Sequence, residues 1–271
     1  MPRAAVLGKP IAHSLSPVIH TAGYAAAGLS DWSYTAIECA EAELPGLLTS
    51  FGPEWAGLSL TMPLKAAALR VASQASPTAR ALGAANTLVR RGDGWYAENT
   101  DAPGMVDALR GADLPPAPTV AVLGGGGTAR AALGAARDLD AVSVTVYTRR
   151  PEAFDELLPV SDALVLPIIH APWSDAHRCA EAAVVISTVP KGAADDLATA
   201  IDWRPDGVLL DVLYDPWPTP LAVAARAAGW RVVSGLDLLL AQAVRQFDLF
   251  TGVPAPVDAM RSAVASAAGR D

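Results

Sequence analysis

Short apolar runs alternate with alanine-rich stretches along most of the chain. In the first hundred residues, AAVLG (4–8), WSYTAIE (32–38) and GLSLT (57–61) each have the length and apolar content of a strand. The run from about Pro17 to Ala27 reads as a helix stopped by Gly28, and a second helix follows Pro63. NTLVRRGDGWYAEN (86–99) reads as a hairpin with Gly92-Asp93-Gly94 as its turn. LRGADLPPAPTV (109–120) is a proline-rich connector. Beyond it, VAVLGGGG (120–127), VSVTVY (142–147), AAVVIST (182–188), GVLLDVLY (207–214) and WRVVSG (230–235) are near-continuous apolar runs, as expected of strands covered on both faces. LDLLLAQAVRQFDLFTG (236–252) has a helical period that puts Leu239, Ala243 and Phe247 on one face, and Gly252 ends it. This alternation predicts an α/β fold with a mainly parallel sheet, and the connector supports two domains.

Composition narrows the field. The chain has 271 residues, 52% apolar and 18% charged, so it has ample core for one large or two ordinary domains and is not disordered. A net charge of −8, with no basic run, argues against a nucleic-acid partner. Cys39 and Cys179 lie far apart with no CxxC, which fits a reduced cytoplasmic compartment and not a structural zinc. His13, His20, His170 and His177 show no metal spacing, so no metal is expected. The apolar start is too short for a signal peptide, and no run has the length of a membrane span.

Three segments carry candidate chemistry. The first is Gly124-x-Gly126-x-x-Ala129, after a strand and before a helix, where glycines admit a tight turn and a pyrophosphate close to the helix N-terminus. NAD-binding versions usually carry a carboxylate at the end of the next strand. Here that strand ends in Tyr147-Thr148-Arg149-Arg150, whose guanidiniums suit a 2′-phosphate and so favour NADP; two solvated surface arginines are the plainer alternative. The second is LSLTMPLKAA (58–67). Only three of the 20 basic residues are lysines (Lys9, Lys65 and Lys191), and Pro63 is expected in the first turn of a helix that then holds Lys65 against the positive end of its dipole. An ammonium so placed can exchange a proton, which a guanidinium cannot. The third is HSLSPVIH (13–20), with Ser16 as an expected N-cap before Pro17 and Ser14 nearby: a seat for a small carboxylate, or only a cap.

In order along nearly the whole chain, HSLSP (13–17), LTMPLK (60–65), GAANTLV (83–89), NTDAPG (99–104), GGGGTAR (124–130), STVPKG (187–192), DVLYDPWPTPL (211–221) and GLDLLLAQAVRQFDLFTG (235–252) resemble the segments of the shikimate dehydrogenase family, NADP-dependent oxidoreductases of aromatic amino-acid and chorismate biosynthesis. The resemblance implies an N-terminal α/β substrate domain, residues 1–102 completed by C-terminal helices in 237–271, and a Rossmann-like doubly wound NADP-binding domain, residues 103–236. It implies that Ser14 and Ser16, helped by Thr61, hold the substrate carboxylate. Lys65, Asn86, Asp101 and Gln242 would surround the ring hydroxyls, with Lys65 and Asp101 as the catalytic acid–base pair. On the cofactor side it implies Gly124, Gly125, Gly126 and Gly127, then Thr148, Arg149 and Arg150 at the 2′-phosphate, and Thr188, Leu213 and Gly235 along the nicotinamide. Where many members have an NVT segment, this chain has Ser59-Leu60-Thr61, so an amide becomes a hydroxyl.

The expected reaction is the reversible NADP-dependent reduction of 3-dehydroshikimate to shikimate, without a metal, by a monomer or homodimer. Alternatives are a quinate/shikimate dehydrogenase, a relative acting on an amino analogue, and a non-catalytic NADP-binding regulator. The Tyr-x-x-x-Lys pair of short-chain dehydrogenases is absent, because none of the five tyrosines has Lys four residues on.

Overall fold

A computed structural model describes residues 1–269; Arg270 and Asp271, the last two positions of the expected C-terminal completion, lie outside the described residues. The chain forms two compact units, one of Met1–Thr100 with the chain from Leu239 onward, the other of Asp101–Leu238.

The first unit holds strands β1 (Arg3–Gly8), β2 (Ser33–Glu38), β3 (Trp55–Leu60), β4 (Gln74–Ala75), β5 (Thr87–Arg91) and β6 (Gly94–Glu98). They form one mixed sheet in the order β2-β1-β3-β5-β6-β4. β1 runs parallel to β2 and β3, while β5 is antiparallel to both β3 and β6. Apolar runs become strands here because almost every side chain of β1 and β3 is buried, on both faces of the sheet. Leu7, Leu44, Leu58, Leu64, Leu88 and Trp95 make one core. The part of helix Gly235–Thr251 from Leu239 onward belongs to the same unit, and the ring of Phe250 takes the space that a Cβ on Gly57 would occupy.

Three local expectations change. Pro63 does not open its helix. The Leu64 N–H bonds to the Thr61 carbonyl at 2.8 Å, so Thr61–Leu64 is a turn, and helix Lys65–Val71 starts at Lys65 itself. Ser16 is not an N-cap. Leu15 supplies the first helical carbonyl, helix Ser16–Ala26 begins on Ser16, and the Ser14 hydroxyl accepts the Ser16 N–H at 3.3 Å. The capping expected there operates instead at Ser76-Pro77 and Thr219-Pro220, whose hydroxyls accept from Ala79 and Ala222. In the hairpin, Arg91 pairs with Gly94, so the turn is Gly92-Asp93 alone.

The second unit starts with helix Asp101–Arg110, and the proline-rich stretch lies inside this unit, leading to β7 (Thr119–Leu123). β8 (Ser143–Thr148), β9 (Ile168–Pro172), β10 (Val184–Ser187), β11 (Val208–Asp211) and β12 (Arg231–Ser234) follow. All pair in parallel, in the order β12-β11-β10-β7-β8-β9. That is a doubly wound sheet whose strand order reverses at β7, between β10 and β8. β9 (IIHAP), an edge strand whose side chains are exposed or half-exposed, escaped the sequence pattern.

His20 is fully buried in the first unit, its ring stacked 4.2 Å from that of Tyr34. Burial pushes it down from 6.5 to about 3, against an opposing contact from Gln246. The unfolded chain therefore binds this proton first as pH falls. The stabilisation from neutral His20 is complete above about 6.5 and is lost towards about 3, at up to roughly 1.4 kcal/mol per pH unit for one proton. His20→Phe keeps the stacking and is expected to flatten the fall in the urea midpoint between pH 7 and 4.5; an unchanged slope would remove His20 as its source.

Candidate active site

The carboxyl ends of β7, β8 and β10 surround a cavity of about 320 Å³ in the second unit, lined in part by Gly124–Gly126, Thr148–Arg150 and Thr188. Its placement at the strand-order reversal is where doubly wound sheets take ligands, and its size falls within the usual range for a ligand pocket. Gly124 has φ +106, and a Cβ there would come within 2.7 Å of Thr188 Oγ1, so the tight turn tolerates only glycine. A Cβ on Gly126 or Gly127 would meet nothing within 4 Å, so the backbone that opens helix Gly127–Asp138 faces clear space. Ala129 is fully buried, as the close packing of this helix on the sheet requires. A pyrophosphate fits such a cradle: bare backbone and the positive end of a helix of 12 residues.

Arg149 and Arg150 are exposed on the edge of this cavity. The Thr148 hydroxyl lies 3.0 Å from His170 Nε2, and the Thr188 hydroxyl donates to the Leu123 carbonyl at 2.8 Å. Gly127, Leu213 and Gly235 do not line this cavity. The latter two meet each other, where the Gly235 N–H donates to the Leu213 carbonyl at 3.2 Å. Trp173 and Glu156 line the cavity without having been singled out in the sequence. Trp173 follows β9, so the unseen edge strand hid it.

In the first unit, Asn86 and Gln242 come together although 156 residues separate them: Asn86 Nδ2 stands 3.4 Å from Gln242 Oε1. Both are buried. Gln242 also donates to the Leu239 carbonyl at 2.8 Å, so the polar group on the apolar stripe has protein partners. Ser16 is buried and Ser14 half-buried, joined by the bond described above. Thr61 and Lys65, both half-buried, bracket the turn into the lysine helix. In the second unit, Asp101 is buried in the first turn of helix Asp101–Arg110, where the dipole favours a carboxylate. Sequence reasoning missed Gln246, Thr87, Thr100 and Tyr34, which hydrogen-bond around Asn86 and Ser59. Gln246 stands one helical turn past Gln242, and that i, i+4 pair of amides on a buried face was the available signal.

Among the described residues, no group of three or more His, Cys, Asp or Glu is placed to hold a metal ion, and no helix is long and apolar enough to cross a membrane.

A doubly wound parallel sheet, with a glycine turn and an arginine-edged cavity at its strand-order reversal, defines an α/β dinucleotide-binding protein. Over 272 residues the chain is 33% identical to the shikimate dehydrogenase (NADP(+)) of Thermus thermophilus, covering 99% of this chain and all of that one. It belongs to the shikimate dehydrogenase family. The family model described as Shikimate dehydrogenase substrate binding domain matches residues 6–88, and that described as Shikimate 5′-dehydrogenase C-terminal domain matches residues 235–265. Among solved structures, Mycobacterium tuberculosis shikimate dehydrogenase superposes with a TM-score of 0.91 at 45% identity, covering 98% of this chain and 100% of that one. The Thermus thermophilus enzyme in complex with NADP(H) and shikimate gives a TM-score of 0.86 at 32% identity, covering 98% and 100%.

Proposed function

We propose that this chain catalyses the reversible NADP-dependent reduction of 3-dehydroshikimate to shikimate. The observation that carries the reading is the pairing of an open glycine cradle with two arginines on its edge, in a chain of this family. The cofactor supplies or accepts a hydride. The rest falls to the protein. In this reading the unit Asp101–Leu238 holds the cofactor, with Gly124–Gly127 against the pyrophosphate and Thr148, Arg149 and Arg150 at the 2′-phosphate. Thr188, Leu213 and Gly235 flank the nicotinamide. In the other unit, Ser14, Ser16 and Thr61 offer hydroxyl donors to the substrate carboxylate. Asn86 and Gln242 direct amides at ring hydroxyls.

Reduction of a ketone turns its oxygen into an alkoxide, which needs a proton as the charge develops. Lys65 donates that proton and, in the reverse direction, takes it from the alcohol. Asp101 is the second member of the proposed acid–base pair, a carboxylate that balances charge during the step. A lysine suits the step because its ammonium carries a transferable proton, whereas a guanidinium holds its own. The buried, unpaired thiols of Cys39 and Cys179 fit a reducing cytoplasm.

Following absorbance at 340 nm while offering shikimate and quinate with NADP and NAD in turn tests the reading. Turnover is expected with shikimate and NADP, and much less with the other three pairs. Comparable turnover of quinate would favour the quinate/shikimate alternative. Tight NADP binding without turnover of either acid would make the chain a non-catalytic NADP-binding protein.

A further inference from the structure

The amides around Asn86 have a fixed polarity. Gln246 is 1% exposed, and its Nε2 donates to the Asn86 backbone carbonyl at 3.1 Å and to Thr87 Oγ1 at 2.9 Å. A carbonyl only accepts, so the NH₂ end of Gln246 must face β5. Its Oε1 then accepts the Ser59 hydroxyl at 2.6 Å, and Ser59 Oγ accepts from the Tyr34 hydroxyl at 2.6 Å. Thr87 has accepted from Gln246, so its one proton goes to Asn86 Oδ1, at 2.9 Å. The Thr100 backbone N–H, which can only donate, reaches the same Oδ1 at 2.7 Å. Both ends of the chain of bonds are thus anchored by backbone groups of known sense. The result is that Asn86 turns Nδ2 towards Thr100 Oγ1 (2.9 Å) and Gln242 Oε1 (3.4 Å). Ser59 is buried, and its hydroxyl is used at both ends by protein.

We propose that Gln246 is a positioning residue for the substrate: acting through Thr87, it fixes which end of the Asn86 carboxamide faces Gln242, so that the two side chains meet the ring hydroxyls in one orientation, and Ser59 serves this relay in place of touching the ligand. The inference rests on the reading of Asn86 and Gln242 as substrate-binding residues. A buried relay of this kind specifies one amide orientation because every alternative leaves a buried donor facing a donor.

Gln246→Met keeps length and apolar volume and removes the hydrogen bonds. It is expected to raise KM for shikimate about tenfold, the worth of one misdirected hydrogen bond, with kcat and KM for NADP nearly unchanged. Thr87→Val should act in the same direction, and the double variant should be no worse than Gln246→Met alone, because both cut one chain. A purely structural role would lower the melting temperature and leave this KM pattern and its non-additivity absent. An unchanged KM for shikimate in folded Gln246→Met, or independent, additive effects of the two substitutions, overturns the relay. If Gln246→Met does not fold, an unchanged KM in Thr87→Val overturns it equally. Asn86→Ala separates the two levels. A raised KM there with none in Gln246→Met sinks the relay alone; an unchanged KM in Asn86→Ala sinks the reading of the site, and the relay with it.

Discussion

Lys65→Ala is expected to lower kcat for shikimate oxidation by about three orders of magnitude, within the usual range for losing a general acid–base group, while KM for shikimate moves only a few-fold. The split follows from the role. The amine matters most where the substrate oxygen gains or loses its proton, which happens in the transition state and not in the bound acid. Lys65→Arg discriminates proton transfer from simple charge. A guanidinium restores the positive charge and cannot release a proton near neutral pH, so this variant should be nearly as slow as the alanine. Steady-state rates for both variants over a range of pH make the check. If Lys65→Ala keeps most of its rate, or if Lys65→Arg recovers it, the lysine is not the proton carrier. Asp101→Asn should be slow as well, and less so than Lys65→Ala, because on the proposed assignment it removes one member of the acid–base pair and leaves the proton carrier in place.

Removing both arginines at the end of β8 should erase most of the preference for NADP. Arg149→Ala with Arg150→Ala is expected to raise KM for NADP about a hundredfold and to leave KM for NAD within a few-fold. Hydrogen bonds to charged groups are worth about 1.5–3 kcal/mol each, and the lower end applies because both side chains are exposed to solvent. The same exposure predicts that KM for NADP of the unaltered protein rises with added salt while KM for NAD does not. No carboxylate occupies the end of β8 to recognise an unphosphorylated ribose, so the double variant should be a poorer enzyme with NADP and no better with NAD. A KM for NADP that stays within a few-fold would show the two arginines to be solvated surface groups.

The cofactor side of this protein was legible because its signals are local. β7, the glycine turn and the helix after it lie within twenty residues of one another, and each run has one reading once its neighbours are assigned. β10 and β11 were equally plain, since strands buried on both faces are apolar along most of their length; β12, an edge strand exposed at Arg231, was legible from Val232-Val233. β9 was not, because Ile168-Ile169 is followed by His170 and ends in Pro172, which gives neither an unbroken apolar run nor a clean alternation. Helix starts erred for a related reason. A Ser-Pro or Met-Pro step shows that a helix is near. Which carbonyl takes the first helical bond depends on what the preceding turn leaves unpaired, and at Thr61 and Leu15 that shifted the start by one or two residues.

Residue order along the chain was enough to establish the two-part α/β organisation, the glycine cradle, the arginines in place of a carboxylate, and a lysine at a helix start. These rest on periodicity and on chemistry within a few turns of backbone. The partners of the buried amides were decided by the folded unit alone. Gln242 was visible as a polar residue on an apolar helix, and Gln246, one turn further on, was passed over. Nothing near them in the chain says that Asn86 and Thr87, at the head of β5, and Ser59, on β3, wait up to 187 residues away. A buried polar group must find a partner, and geometry alone selects which one, because the sheet register and the helix packing together fix what lies within 3 Å of it.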